Sequence, residues 1–234
     1  MGTYGPLWEH DLDTIPCKPA LIGVDEAGRG PLAGSVVAAA VCLEPAFFET
    51  KWDPGIIQQF DDSKKIKEPT RLELFAWLEE AAAKGHLHFG SAEASVQEIE
   101  ELNILHATAL AMDRAIQALP ERFHPKGEGL PLFNITDRPN PVILVDGKPM
   151  VRLPYYHHGL VKGDSKSLAI AMASIVAKTL RDRIMVDLDK KYPAYGFAKH
   201  KGYGTQQHRD ALHQHGPCPQ HRPKFLEKIL GSEE

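Results

Sequence analysis

The stretch ALIGVDEAGRGPLAGSVVAAAVCL, Ala20 to Leu43, decides the fold. Ala20 to Glu26 is a short apolar run ending in two acids and reads as a buried strand; Ser35 to Leu43 reads as a second. Between them Ala27-Gly28-Arg29-Gly30-Pro31 is a turn by composition. A link this short leaves no room for a parallel crossover, so a sheet built from these strands together with strand–helix units must be mixed. Outward from this core, Thr70 to Lys84 reads as a helix and His86 to Ser95 alternates like a strand. Glu98 to Leu119 carries an apolar stripe, Leu102, Leu105, Ala109, Met112, Ile116 and Leu119, at helical spacing. Pro120 to Pro141 reads as a long surface loop and Val142 to Asp146 as another buried strand ending in an acid. A helix is expected from about Ser167 to Lys190, another from Thr205 to His213, and a last one over Lys224 to Leu230. The expected class is α/β, a mixed central sheet flanked by helices, with a helical C-terminal part over about 192–234.

With 234 residues, the chain suits one domain with a sizeable core, placed at 20–234. Residues 1–19 read as a loose lead-in, acidic and without the basic start and apolar stretch of a signal peptide. The longest apolar run, Leu168 to Ala177, falls far short of the roughly 18 residues of a membrane span. Cys17, Cys42 and Cys218 lie far apart without CxxC pairing, which fits a reducing cytoplasm. The net charge of −4 counts against bulk electrostatic binding of nucleic acid. Lys199 to Lys224, however, has one acid, Asp210, against Lys199, Lys201, Arg209, Arg222, Lys224 and five histidines, a local basic surface by composition.

Asp25 and Glu26 stand at the end of an apolar strand with no base nearby in sequence. Two buried carboxylates repel unless a cation balances them, and the hard cation for an all-oxygen site is Mg²⁺ or Mn²⁺. Asp146 ends a second apolar strand in the same way, and Asp164 opens a helix after Lys162-Gly163. Four such acids at one sheet edge suffice for two divalent ions, the arrangement that serves phosphodiester hydrolysis. Asp182 competes for the fourth place, although its spacing from Lys178 suits a helix-surface ion pair. Gly28, Gly30 and Ala33 satisfy a loose dinucleotide-binding pattern, but Pro31 interrupts the turn and a strand follows where that motif requires a helix. The histidine pairs lack helical zinc-site spacing and read as surface or nucleic-acid-facing.

Gly23 to Gly34, GVDEAGRGPLAG, resembles the signature opening of bacterial type 2 ribonuclease H, the ribonuclease HII family. Matching motifs follow in order: Asp62-Ser63-Lys64-Lys65, Leu144-Val145-Asp146-Gly147, Val161-Lys162-Gly163-Asp164, Ala173 to Lys178, and His200-Lys201-Gly202-Tyr203. The resemblance implies a ribonuclease H-like fold and makes Asp25, Glu26, Asp146 and Asp164 the metal-binding and catalytic carboxylates, in preference to Asp182. It implies that the backbone of Gly28, Arg29 and Gly30 reaches the 2′-hydroxyl beside the scissile bond. Tyr203 resembles the tyrosine that packs on the deoxynucleotide after the RNA-to-DNA junction, and Lys64, Ser174 and Lys178 resemble phosphate or active-site contacts. The implied substrates are RNA/DNA hybrids and ribonucleotide-containing duplex DNA, cut by a monomer with two Mg²⁺ or Mn²⁺ ions. The loop 120–141 looks longer than the family pattern.

Overall fold

The computed structural model describes residues 4–16, 18–125 and 140–230. Five strands form one sheet: β1 Leu21–Ala27, β2 Val36–Leu43, β3 His88–Ala94, β4 Val142–Asp146 and β5 His158–Leu160. Their order is β3-β2-β1-β4-β5, with β1–β2 and β2–β3 antiparallel and β1–β4 and β4–β5 parallel. The sheet is therefore mixed, as the short glycine turn requires. Ten helices accompany it among the described residues: α1 Pro6–Thr14, α2 Pro45–Glu49, α3 Pro54–Ile57, α4 Glu68–Ala83, α5 Val96–Leu102, α6 Ile104–Gln117, α7 Leu168–Lys191, α8 Phe197–His200, α9 Gln206–His215 and α10 Pro223–Leu230. None is long and apolar enough to cross a membrane.

Strand periodicity divides the core. Leu21 on β1 and Leu144 on β4 pack on the face covered by α7, with Ala169 to Ala177. Their neighbours Ile22, Val24, Ile143 and Val145 face α6, against Ala107, Ala111, Met112 and Ile116. Gly23 is required by contact: a Cβ there would lie 2.3 Å from the Ala169 carbonyl carbon, so α7 sits directly on β1. A third cluster, built from Leu32, Met185, Tyr195, Phe197 and Leu212, joins the end of α7 to α8 and α9. It carries the helical C-terminal part.

The expected Glu98–Leu119 helix is broken. Asn103, at φ 67°, ends α5 and caps α6, its side-chain oxygen accepting from the Leu105 and His106 amides at 2.9 and 3.2 Å. The break re-phases the apolar stripe, so Leu105 is exposed instead of buried. Most of the loop expected at 120–141 lies outside the described residues.

The lead-in expected to be loose instead carries α1, with Trp8 and Asp11 buried. Trp8 packs against Tyr4, Phe47 and Phe48. Asp11 accepts from the Ala169 amide at 2.8 Å and the Ser167 hydroxyl at 3.1 Å, so a carboxylate from one end of the chain caps the first turn of α7, where the exposed amides favour negative charge. Removing it leaves buried donors unpaired. Asp11→Ala is expected to cost about 2 kcal/mol in urea unfolding; a change within experimental error would mean that α1 does not anchor α7.

Candidate active site

The sheet brings two acids together through its register. Val24 is the partner of Val145 across the parallel β1–β4 ladder, so one residue further Asp25 and Asp146 leave the sheet side by side on the α7 face. Asp164 arrives from a 3-10 turn, Gly163–Ser165, entered through Lys162 in the left-handed region at φ 57°. The turn is fastened to β4 by the Gly163 amide, which donates to Asp146 Oδ1 at 2.7 Å. Asp25, Asp146 and Asp164 thereby place one carboxylate oxygen each within 4.8 Å of one another.

Glu26 stands outside this trio. Alternation along β1 turns it away from Asp146 and, contrary to the expectation that no base lies nearby, it accepts from Arg29 Nη1 at 3.1 Å. Asp182 is further removed and already paired: it accepts from Lys178 Nζ at 2.7 Å and from Arg71 Nη2 at 3.0 Å. The pairing expected from spacing is present, but nearly buried and shared with an arginine that sequence alone did not supply.

The electrostatics suit a bound cation. Burial, then the adjacent Glu26 and Asp146, hold the Asp25 carboxyl well above the usual carboxylate range. Asp164 is pushed up to about 6 by burial, by Asp146 and by Asp62. Lys64 points among Asp62, Asp25 and Asp164, which hold its ammonium charged against the opposing effect of burial. One lysine does not neutralise the set, and three converging hard oxygen donors without a buried nitrogen or sulfur ligand match Mg²⁺ or Mn²⁺ chemistry.

A cleft of about 600 Å³ beside these acids is lined by Gly28, Arg29, Gly30, Lys64, Ser174, Lys178 and Tyr203, together with Asp25 and Glu26. The structure thus gathers every expected substrate contact around one opening. Lys64 reaches it on a loop tied down twice, by Ser165 donating to Asp61 at 2.8 Å and by the Ser174–Ser63 hydroxyl pair at 2.7 Å. Gly28 has φ 102°, and a Cβ there would lie 2.0 Å from Arg181 Nε; only glycine fits. Sequence reasoning gave no role to Asp62, although its motif was quoted, nor to Arg71 and Arg181, whose partners lie far away in the chain.

The basic tail is not uniformly a surface. Arg222 and His208 are fully buried, and His200 and His221 nearly so. The surface reading of those residues is corrected: rings and guanidinium are satisfied by backbone carbonyls and by one another.

A family model described as ribonuclease HII matches residues 22–126 and 143–228. The chain belongs to the ribonuclease HII family. The gap in the ribonuclease HII match, 127–142, covers most of the loop that looked long in the sequence. Ribonuclease HII of Syntrophotalea carbinolica is 45% identical over 205 residues, 88% of this chain and 84% of its own. That of Vibrio vulnificus is 43% identical over 216 residues, 92% and 90% of the two chains. Among solved structures, ribonuclease H2 from Pyrococcus horikoshii OT3 superposes with a TM-score of 0.64 at 24% identity, covering 90% of this chain and 96% of its own. Bst-RNase HIII in complex with Mn²⁺ gives 0.59 at 16% identity, with 92% and 71% covered. The fold is ribonuclease H-like, and as a ribonuclease HII the chain is a ribonuclease H hydrolase acting on RNA phosphodiester bonds, in a family dependent on divalent metal.

Because the folded protein holds the Asp25 and Asp164 protons more tightly than the unfolded chain does, this part of its stability is full at low pH and is lost as pH rises through the folded values, about 6 for Asp164. A divalent cation favours the ionised carboxylates and reverses the loss. Mn²⁺ is therefore expected to raise Tm at neutral and alkaline pH, and the rise should shrink as pH falls through about 6. Thermal melts with Mn²⁺ and with chelator check this; a rise independent of pH would place the ion elsewhere.

Proposed function

We propose that the enzyme cuts the phosphodiester on the 5′ side of a ribonucleotide embedded in duplex DNA, as well as the RNA strand of RNA/DNA hybrids, leaving 3′-hydroxyl and 5′-phosphate ends. The observation that carries this reading is the convergence of Asp25, Asp146 and Asp164 within 4.8 Å, with Asp25 itself on the wall of a cleft lined by a glycine turn and an exposed tyrosine. Asp25, Asp146 and Asp164, together with Glu26 on the cleft wall, would hold two Mg²⁺ or Mn²⁺ ions. When bound, such ions supply activation of the attacking water and charge stabilisation at the departing 3′-oxygen.

The chain's own groups do the rest. The backbone of Gly28, Arg29 and Gly30 approaches the 2′-hydroxyl, which distinguishes RNA from DNA at one position. Tyr203, 44% exposed, packs on the deoxynucleotide that follows the junction. Lys64, kept protonated by its acidic neighbours, meets a phosphate. Ser174, whose hydroxyl pairs with that of Ser63, stands beside Asp25 on the cleft wall, while Lys178 lies across that wall with Asp182 as its counter-ion. Residues 20–234 act as one catalytic unit, in the cytoplasm and as a monomer, in excision of misincorporated ribonucleotides and removal of RNA primers.

The test is cleavage of end-labelled duplex DNA containing one ribonucleotide, beside an all-RNA/DNA hybrid, with Mg²⁺, Mn²⁺ or chelator. A metal-dependent cut 5′ of the lone ribonucleotide is expected; cutting of the hybrid alone would overturn the junction reading. Asp146→Asn should abolish cleavage of both while leaving duplex binding in place, and near-normal cleavage would remove Asp146 from the metal site.

A further inference from the structure

We propose that His221 and Arg222, adjacent residues near the C-terminal end of the chain, are positioning residues that set the spacing between the Gly28–Gly30 turn and Tyr203. This rests on the proposed roles of that turn and that tyrosine. Arg222 is fully buried and spends its whole fork on carbonyls of the turn: Nη2 donates to Gly28 and Gly34 at 2.7 Å each, Nη1 to Arg29 at 3.1 Å and Pro31 at 2.9 Å, and Nε to Gly34 at 2.9 Å. Only a planar guanidinium presents five donors in one rigid fork.

Next to it, His221 begins a relay. The Cys218 amide donates to His221 Nδ1 at 2.9 Å, which puts the ring proton on Nε2; Nε2 donates to His208 Nε2 at 2.9 Å, and His208 Nδ1 donates to the Tyr203 carbonyl at 3.0 Å. Burial and the facing imidazole push His221 down to about 4, so the relay is neutral at working pH. Main-chain bonds tie the same three segments together: Gly34 N to Gln220 O, Arg222 N to Leu32 O and Leu32 N to Gly202 O, each at 2.8 Å. A Cβ on Gly30 would lie 3.8 Å from the Tyr203 ring, so turn and tyrosine are neighbours, each steadied by one of these two residues.

No ion pair to Arg222 is found among the described residues, and burial together with the nearby Arg181 charge lowers its pKa to about 9. A buried, unpaired cation costs stability that apolar packing would not. Geometry at the cleft is the return on that cost.

The experiment compares wild type, Arg222→Lys and His221→Phe, which keeps a ring against Tyr195 and Phe197, on the lone-ribonucleotide duplex and on the all-RNA/DNA hybrid. Both substrates present a 2′-hydroxyl to the turn, so Arg222→Lys should lower kcat/KM about 100-fold on each, mainly in kcat. Only the lone-ribonucleotide duplex presents the junction, so His221→Phe should lower its cleavage about tenfold more than that of the hybrid, and adding Tyr203→Ala should make little further difference. The Mn²⁺-induced Tm rise should survive in all. Equal losses on both substrates from both variants, or none, would overturn the positioning roles; a wild type inactive on the lone ribonucleotide would instead overturn the reading beneath them. Should a variant fail to fold, hydrogen exchange in wild type decides: the Leu32, Gly34 and Arg222 amides should share one protection, and a turn that opens independently of Arg222 overturns the proposal.

Discussion

Like charges crowded into an apolar edge are the constraint around which the site is organised. Asp25 and Asp146 emerge from neighbouring strands whose other residues are almost all buried, and Asp164 is folded down onto them by a hydrogen bond from the Gly163 amide. Without a cation such a group is held together against its own repulsion by the rigidity of the sheet and of α7. The two-point attachment of the loop that carries Lys64 follows from the same need, since Lys64 supplies positive charge beside Asp25 and Asp164.

Rigidity at this edge is distributed among distant parts of the sequence. The N-terminal helix caps the start of α7 through Asp11, and residues near the other end hold the glycine turn and, through His208, the Tyr203 carbonyl. Buried guanidinium groups are central to this. Arg181 donates to the Ala33, Ser35 and Lys201 carbonyls, and Arg222 to four carbonyls between Gly28 and Gly34. The turn beside the acids is shaped by cations that never reach solvent.

Much of this was legible in the residues, for reasons that can be named. Apolar runs ending in acids gave β1 and β4, the short turn forced a mixed sheet, and the motif order pointed to the family. What stayed hidden depends on distance in the chain or on a single dihedral. Nothing near residue 11 announces that its carboxylate meets a helix start 158 residues later. Asn103 interrupts a continuous apolar period through one positive φ, which a stripe of leucines and alanines conceals. Adjacent Asp25 and Glu26 looked equivalent, yet strand alternation points them in different directions and, among the described residues, leaves three acids in the tight group, not four. The tail looked like basic surface because composition does not distinguish an arginine facing water from one facing carbonyls.

The parallel pairing of β1 with β4 has a consequence for how such a chain can diverge. Asp146 owes its position to four rungs of a ladder, Leu21–Val142 to Val24–Val145, and not to the covalent connection that delivers β4 to the sheet. The entropy of closing that connection grows only slowly with its length. Insertions between α6 and β4 are therefore cheap, whereas a single residue added inside β1 would turn Asp25 away from its neighbour and dissolve the site. Length variation is tolerated in one place and barred in the other by the same two strands.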